Sequence, residues 1–246
     1  MKALGIIPAR LASTRFPGKP LIDIGGKTMI RRVYEQASKS SYLDKVIVAT
    51  DDERIYDHIL SFGGLAEMTA STHQSGTDRC AEVALNHSDY DIYINIQGDE
   101  PFIDPIQIDL VCQCFEQDGV NLATLVKKIS EPSELFNINT PKFIFNNKYD
   151  AIYFSRHPIP FLRDYPHEEW LNKHSFFKHI GLYGYTNQAL QLVTQLSVST
   201  LEQAEALEQL RWIENGLQIK IAVTEVESIA IDTPQDLEKA ISQYLP

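Results

Sequence analysis

The sequence predicts an α/β fold built on a mixed, mostly parallel sheet with helices on both faces. Three observations predict it. Over residues 1–100, short apolar runs alternate with stretches of helical period, in the order β-α-β-α-β-α-β. The runs are too short and too uniformly apolar for half-exposed strands, so they read as buried ones. Turn and stop signals fall between them, Gly63-Gly64 being the plainest.

In chain order, residues 3–7 form the first strand. Residues 28–39 form a helix, with Ile30, Val33, Tyr34 and Ala37 on one face and Thr28 as N-cap. Strand 45–50 (KVIVAT) leads through Asp51 and Asp52 into a helix ending at Phe62, followed by a short strand over 65–69. The polar turn 70–79, ASTHQSGTDR, opens a helix that runs to Asn86. Strand 93–96 ends at Gln97-Gly98-Asp99-Glu100-Pro101. A helix over 105–117 and a strand over 121–129 follow, then a hairpin of strands 142–145 and 151–155 about Asn146-Asn147-Lys148. Residues 156–176 have no period and read as an excursion or a mobile loop. Strand 180–185 precedes a helix over 188–195. Ser199-Thr200-Leu201-Glu202 is a capping box opening one helix, with Leu201, Ala204, Leu207 and Ile213 inward, that Gly216 stops. Strands at 219–223 and 229–231 lead to Thr233-Pro234 and a last helix. No repeat, low-complexity tract or linker interrupts the chain, so the second half reads as an insertion on the sheet.

Composition narrows the function classes. Lys and Arg total 22 against 33 Asp and Glu, a net charge of −11 in 246 residues, which excludes a dedicated nucleic-acid binder. Cys80, Cys112 and Cys114 are odd in number and lack C-x₂-C spacing, so they read as free thiols in a reducing compartment. No cleavable leader and no apolar run near the roughly 18 residues of a membrane span are present, and a cytoplasmic protein is expected.

Against that acidic background, residues 8–20 are a local exception. Arg10, Arg15 and Lys19 share the loop with Ser13, Thr14 and Gly18, and Pro8, Pro17 and Pro20 stiffen it. It is either a solvated surface loop or a polyphosphate cradle. In parallel sheets ligands bind beyond the carboxyl ends of the strands, which puts 8–19, 70–79 and 97–101 on one edge and favours the cradle. Asp99 and Asp232, each ending an apolar run, are candidate Mg²⁺ ligands, or else a turn residue and a helix-start acid. Ser71, His73, Gln74, Ser75, Thr77 and Arg79 on the 70–79 turn either read a base or a sugar or form a polar loop with no ligand. His179, Arg156, Glu208 and Gln209 are further polar candidates, while Trp170 and Trp212 read as packing residues. The G-x-G-x-x-G of a dinucleotide oxidoreductase is absent from 8–20.

Seven stretches taken in order and spacing go further: IIPARLASTRFPGKPL (6–21), TASTHQSGTDR (69–79), NIQGDEP (95–101), YFSR (153–156), HIGLYGY (179–185), LEQLR (207–211) and IDTPQDL (231–237). With them the chain resembles the 3-deoxy-manno-octulosonate (KDO) cytidylyltransferases, also called CMP-KDO synthetases, over nearly its whole length. The resemblance implies a Rossmann-like nucleotidyltransferase fold in a single domain, 1–246. In it, about 1–129 and 219–246 form the nucleotide and metal core, and about 130–218 form a sugar-binding and dimerisation part. The reaction implied converts CTP and KDO to CMP-KDO and pyrophosphate for lipopolysaccharide, with Mg²⁺ as cofactor and a homodimer as the assembly. Activation of another acidic sugar, such as a sialic acid, is the alternative. By position, the resemblance puts Arg10, Ser13 and Lys19 on the triphosphate, and Pro8, Ala9, Gln74 and Arg79 at the nucleoside, with Ala70, Ser71 and His73 lining that pocket. It puts Asp99 and Asp232 on Mg²⁺, and Gln97, Arg156, His179, Tyr183, Glu208 and Gln209 on the sugar acid. The catalytic set is then Lys19, Arg10, Asp99 and Asp232. Two departures flank the sugar site: His157-Pro158-Ile159-Pro160-Phe161 stands where the family commonly has ATIPW, and Lys178 and Thr186 stand where arginines are common.

Overall fold

The computed structural model describes residues 1–11 and 16–245. The first half alternates as the periodicity requires: β1 (Ala3–Ala9), α1 (Met29–Ala37), β2 (Lys45–Thr50), α2 (Glu53–Ser61), β3 (Ala66–Met68), α3 (Gly76–Asn86), β4 (Ile92–Asn95), α4 (Pro105–Cys114) and β5 (Leu122–Lys128). Then come α5 (Pro132–Leu135), β6 (Lys142–Phe145), β7 (Ala151–Ser155), α6 (Trp170–Lys173), β8 (Phe177–Thr186), α7 (Asn187–Gln195), α8 (Thr200–Glu205), α9 (Gln209–Glu214), β9 (Lys220–Thr224) and α10 (Pro234–Tyr244).

The strands form one sheet in the order β3-β2-β1-β4-β8-β5-β9, with β6 and β7 added beside β8. β1, β2, β3 and β4 are mutually parallel, and β5 and β9 run the same way. β8 lies antiparallel between β4 and β5, so it starts at the edge where its neighbours end. The sheet is therefore mixed and mostly parallel, as expected. The stretch 130–218 supplies a central strand, β8, as well as the β6–β7 hairpin on its flank. Helices cover both faces over two apolar clusters. One centres on Leu4, Ile6, Tyr93, Tyr185 and Trp212, the other on Ile7, Ile30, Val48, Ile94 and Ile108.

Pro8 shows how the edge is cut. In a parallel ladder alternate residues face the same neighbour. Ile6 O accepts from Ile96 N–H, so Pro8 faces that side too, past the last β1–β4 pair, Ile6 with Asn95. Its missing N–H thus falls where the ladder has already ended. The turn after β4 then crosses close above it. A Cβ on Gly98 would stand 2.9 Å from Pro8 O, which is why only glycine fits there.

Three expectations are corrected. The helix after Ser199 is broken: Ala206 takes φ 50° between α8 and α9, although the capping box of Ser199 and Glu202 forms as read. Residues 229–231 form no strand; Ile231 is fully buried against Ile24, Met29 and Ala240 instead. The 156–176 stretch is folded onto Trp170, which is fully buried with Ile129, Leu135 and Phe176, so a tryptophan and not a period organises it. The two tryptophans are packing residues as read, and Cys80 and Cys112 are buried free thiols.

Candidate active site

The carboxyl edge gathers the predicted residues from segments far apart in sequence. Asp99 follows β4, and Asp232 lies 133 positions later. Ile231 N–H donates to Asp99 O at 2.9 Å, which sets the next residue, Asp232, beside the β4 turn. Lys19 enters from the loop after β1. Its Nζ donates to Asp99 Oδ2 at 2.8 Å and to Asp232 Oδ1 at 3.0 Å, with the lysine side chain 13% exposed. Two hard oxygen donors are therefore collected about one positive point. Among the described residues no third His, Cys, Asp or Glu joins them. That donor set fits Mg²⁺, which is commonly held by one or two carboxylates with phosphate and water oxygens completing the octahedron.

The 70–79 turn is held from behind. Ser75 caps α3 in a reciprocal box with Asp78, so the helix starts at Gly76, inside the stretch read as turn. Glu82, one helical turn after Asp78, accepts from Ala70 N–H at 2.9 Å and from the His73 ring. Burial alone would raise the Glu82 carboxyl, but the Ala70 N–H and His73 hold it below its ordinary value. Arg10 Nη2 donates to His73 O at 2.7 Å, joining the first loop to this turn. Ala70, Ser71 and Gln74 are exposed along the turn, and Gln74 Nε2 donates to Thr72 O at 2.9 Å. Arg79 lies below, fully buried, against Thr69 and 3.3 Å from Asp51 Oδ1. Burial pushes the Arg79 guanidinium down, against the pull of Asp51. Ser13 lies outside the described residues.

The expected sugar side meets the same edge. Gln97 Nε2 donates to Gly181 O at 3.0 Å, binding the β4 turn to β8. His179 sits near the start of β8, edge-on to Phe154 and packed on Tyr183. Burial pushes its imidazole down to about 3, so it is neutral at physiological pH. Thr124 Oγ1 lies 2.8 Å from Leu182 O and 3.0 Å from His179 Nε2. The single hydroxyl proton goes to the carbonyl, so Nε2–H donates to Thr124 and Nδ1 is the acceptor. Tyr183 is 8% exposed, and its hydroxyl has no partner among the described residues. Thr77 Oγ1 donates to Glu208 Oε2 at 3.3 Å, so Glu208 and the buried Gln209 pack against α3. Burial pushes the Glu208 carboxyl up.

Arg156 is placed differently from the others. Its guanidinium donates to three backbone carbonyls, Glu205 O at 2.6 Å, Ile138 O at 2.9 Å and Ala206 O at 3.1 Å. It fastens the turn between α8 and α9, two residues ahead of Glu208. Sequence reasoning missed Asp51, Glu82 and Glu205, the carboxylates that support these loops. Glu82 had a signal, since Asp78 and Glu82 are four apart on one helix face. Glu205, which also accepts from Ser155 Oγ at 2.7 Å, had none.

Lys19 between Asp99 and Asp232, beyond the carboxyl ends of the parallel strands, fits a Rossmann-like α/β nucleotidyltransferase. The family model described as cytidylyltransferase matches residues 4–221, and the chain belongs to that family. It is 54% identical to the 3-deoxy-manno-octulosonate cytidylyltransferase of Parabacteroides distasonis, covering 98% of both chains. It is also 54% identical to the enzyme of that name from Bacteroides thetaiotaomicron, over 98% of this chain and 97% of the other. The solved structure of a CMP:2-keto-3-deoxy-manno-octonic acid synthetase complexed with CTP superposes with a TM-score of 0.91 at 43% identity, covering 99% of this chain and 98% of that one.

Proposed function

We propose that this protein transfers the cytidylyl group of CTP to KDO, forming CMP-KDO and pyrophosphate for lipopolysaccharide synthesis in the cytoplasm. The observation that carries this reading is Lys19 held between Asp99 and Asp232. Transfer at a nucleotide phosphorus needs alignment and charge neutralisation more than covalent help. Lys19 and Arg10 are the cations for the departing pyrophosphate. Asp99 and Asp232 are the carboxylates for Mg²⁺. When bound, the ion would neutralise phosphate charge and lower the pKa of the attacking hydroxyl. The 70–79 turn and the β1 end, Pro8 and Ala9, form the nucleoside side. Gln97, Tyr183, Glu208 and neutral His179 face the sugar acid. His179 offers an acceptor to a hydroxyl, which a cation would not do.

The test is pyrophosphate release from CTP with KDO, compared with sialic acid and other acidic sugars. Release with KDO is expected; release only with another sugar would reassign the substrate. Asp99→Ala or Asp232→Ala is expected to cost at least roughly 10²–10³-fold in turnover, the scale of losing one electrostatic stabiliser. Near-normal turnover by either variant would remove the metal assignment.

The assembly in this reading is a homodimer. Phe161 is 66% exposed and Phe136 41%, and both pack on the buried Trp170 ring, Phe161 edgewise and Phe136 tilted. Such a grouped apolar patch marks a contact surface. Sedimentation is expected to give twice the 27.9 kDa chain mass, and Phe161→Asp to shift the population toward the single chain. A wild-type protein that sediments as one chain at micromolar concentration would dispose of the dimer.

A further inference from the structure

The segment that carries Asp232 has no ladder to hold it. It leaves β9 at Thr224 and reaches α10 at Pro234, and among the described residues 225–231 pair with no strand. Side chains from four other elements and from the β4 turn fasten it. Glu227 Oε2 accepts from Lys127 Nζ of β5 at 2.6 Å, and Glu227 Oε1 from Lys178 Nζ of β8 at 2.7 Å. Ser228 Oγ donates to Glu100 Oε2, in the β4 turn, at 2.7 Å. Gln107 Nε2 of α4 donates to Val226 O at 3.4 Å, and Tyr244 Oη of α10 to Glu227 O at 3.2 Å.

We infer that Glu227, gripped by Lys127 and Lys178, is a positioning residue that fixes the 225–231 segment, so that the Ile231–Asp99 bond and Lys19 keep Asp232 against Asp99, with the Ser228–Glu100 bond as a further tie. The inference rests on the reading of Asp99 and Asp232 as the carboxylates for a divalent cation. Lys19 and the Ile231–Asp99 backbone bond hold the far end of the segment at the carboxylate pair, and the Glu227 pairs fix its near end, so the segment is fastened on both sides of its unladdered stretch. Both oxygens of Glu227 receive an ammonium donor, and such charge-assisted bonds are short and strong. The Lys178 side chain is only 7% exposed, so its pairs are screened far less than surface ones. Lys178 also precedes His179 on β8. The clamp therefore ties the strand expected to face the sugar to the carboxylate pair expected to hold the metal.

The test exploits the second acid on Lys178. Glu134 also accepts from Lys178 Nζ, so Glu227→Gln leaves the buried ammonium paired and the variant can fold. Mn²⁺ binding is followed by electron paramagnetic resonance in the presence of saturating CTP without sugar. Glu227→Gln is expected to weaken Mn²⁺ binding about tenfold, the scale of losing an outer-shell support. The Mg²⁺ concentration for half-maximal turnover should rise by the same factor, with the thermal midpoint and the CTP KM at saturating Mg²⁺ unchanged. Ser228→Ala is expected to weaken Mn²⁺ binding by a smaller factor than Glu227→Gln. Glu134→Gln should bind Mn²⁺ like the wild type, and Lys178→Arg, which keeps both pairs, should do so too. Unchanged Mn²⁺ binding in Glu227→Gln overturns the inference, as does an equal loss in Glu134→Gln, which would mark a general effect on the fold. Failure of the wild type to bind Mn²⁺ with CTP would overturn the metal reading itself, and is told apart because it appears in the unmodified protein.

Discussion

At position 179 an imidazole is kept neutral by its surroundings, with Thr124 taking the Nε2 proton and aromatic rings on two sides. The cost is visible in acid. Its folded pKa, about 3, lies below the ordinary value of 6.5, so the unfolded chain binds the proton more readily. This contribution to stability is complete above pH 6.5 and is lost as pH falls from there toward 3. His179→Gln removes the titration while keeping a polar side chain. The difference in unfolding free energy between pH 7 and pH 5, from urea titrations, is expected to shrink by on the order of 1 kcal/mol in the variant. An undiminished difference would show that other groups govern the acid limb. Residues such as this were legible only in part. The resemblance pointed to His179 as a sugar-facing group, but its protonation is set by burial among Thr124 of β5, Phe154 of β7 and Tyr183 further along its own strand.

Among the elements, local rules served well where one element decided its own structure. Thr28, Ser75, Ser199 and Thr233 all cap the helices that follow them, and the three capping boxes at Ser75, Ser199 and Thr233 close on both sides. They failed where a partner decided. The apolar spacing of Leu201, Ala204 and Leu207 continues straight through the break, yet the chain turns at Ala206 so that Glu205 O and Ala206 O meet the Arg156 guanidinium. Ile229 and Ile231 look like a strand but pair with none among the described residues. Trp170 sits alone in a polar stretch, and its neighbours Ile129, Leu135 and Phe176 come from elsewhere. The break at Ala206 carries a backbone cost, because φ 50° crowds the Cβ of an L-residue. Ala206→Gly keeps both carbonyls in place and relieves that crowding. It is expected to stabilise the fold by roughly 0.5–1 kcal/mol and raise Tm by about 2 °C, read by calorimetry. A fall in Tm would mean that the loss of chain entropy outweighs the relief.

Over the whole molecule, one reversed strand and one returning segment make the site. β8, inserted between β4 and β5, brings His179 and Tyr183 to the edge that β1 and β4 supply, and the 225–232 segment brings Asp232 back to Asp99. The sequence showed that these parts exist and the resemblance said that they meet; the order of the strands and the Ile231–Asp99 bond were not written in any local pattern. The same arrangement settles how the free protein lives with two adjacent carboxylates. Lys19 already donates to both, so folding is expected to proceed without a divalent cation. Chelation with EDTA is therefore expected to abolish turnover while leaving the Tm of the free protein within about 1 °C, well inside the shift that a single kcal/mol would give. Mg²⁺ alone should also move Tm little, since its charge competes with an ammonium already in place. On the proposed reading, CTP with Mg²⁺ would supply phosphate oxygens for the ion and an anion for Lys19 and Arg10. At about 100 times Kd they should stabilise the fold by about 2.7 kcal/mol and raise Tm by roughly 5–10 °C. Differential scanning fluorimetry across the four conditions checks this. A large loss of Tm with EDTA alone would show that the carboxylate pair depends on metal for folding, and that Lys19 does not balance it.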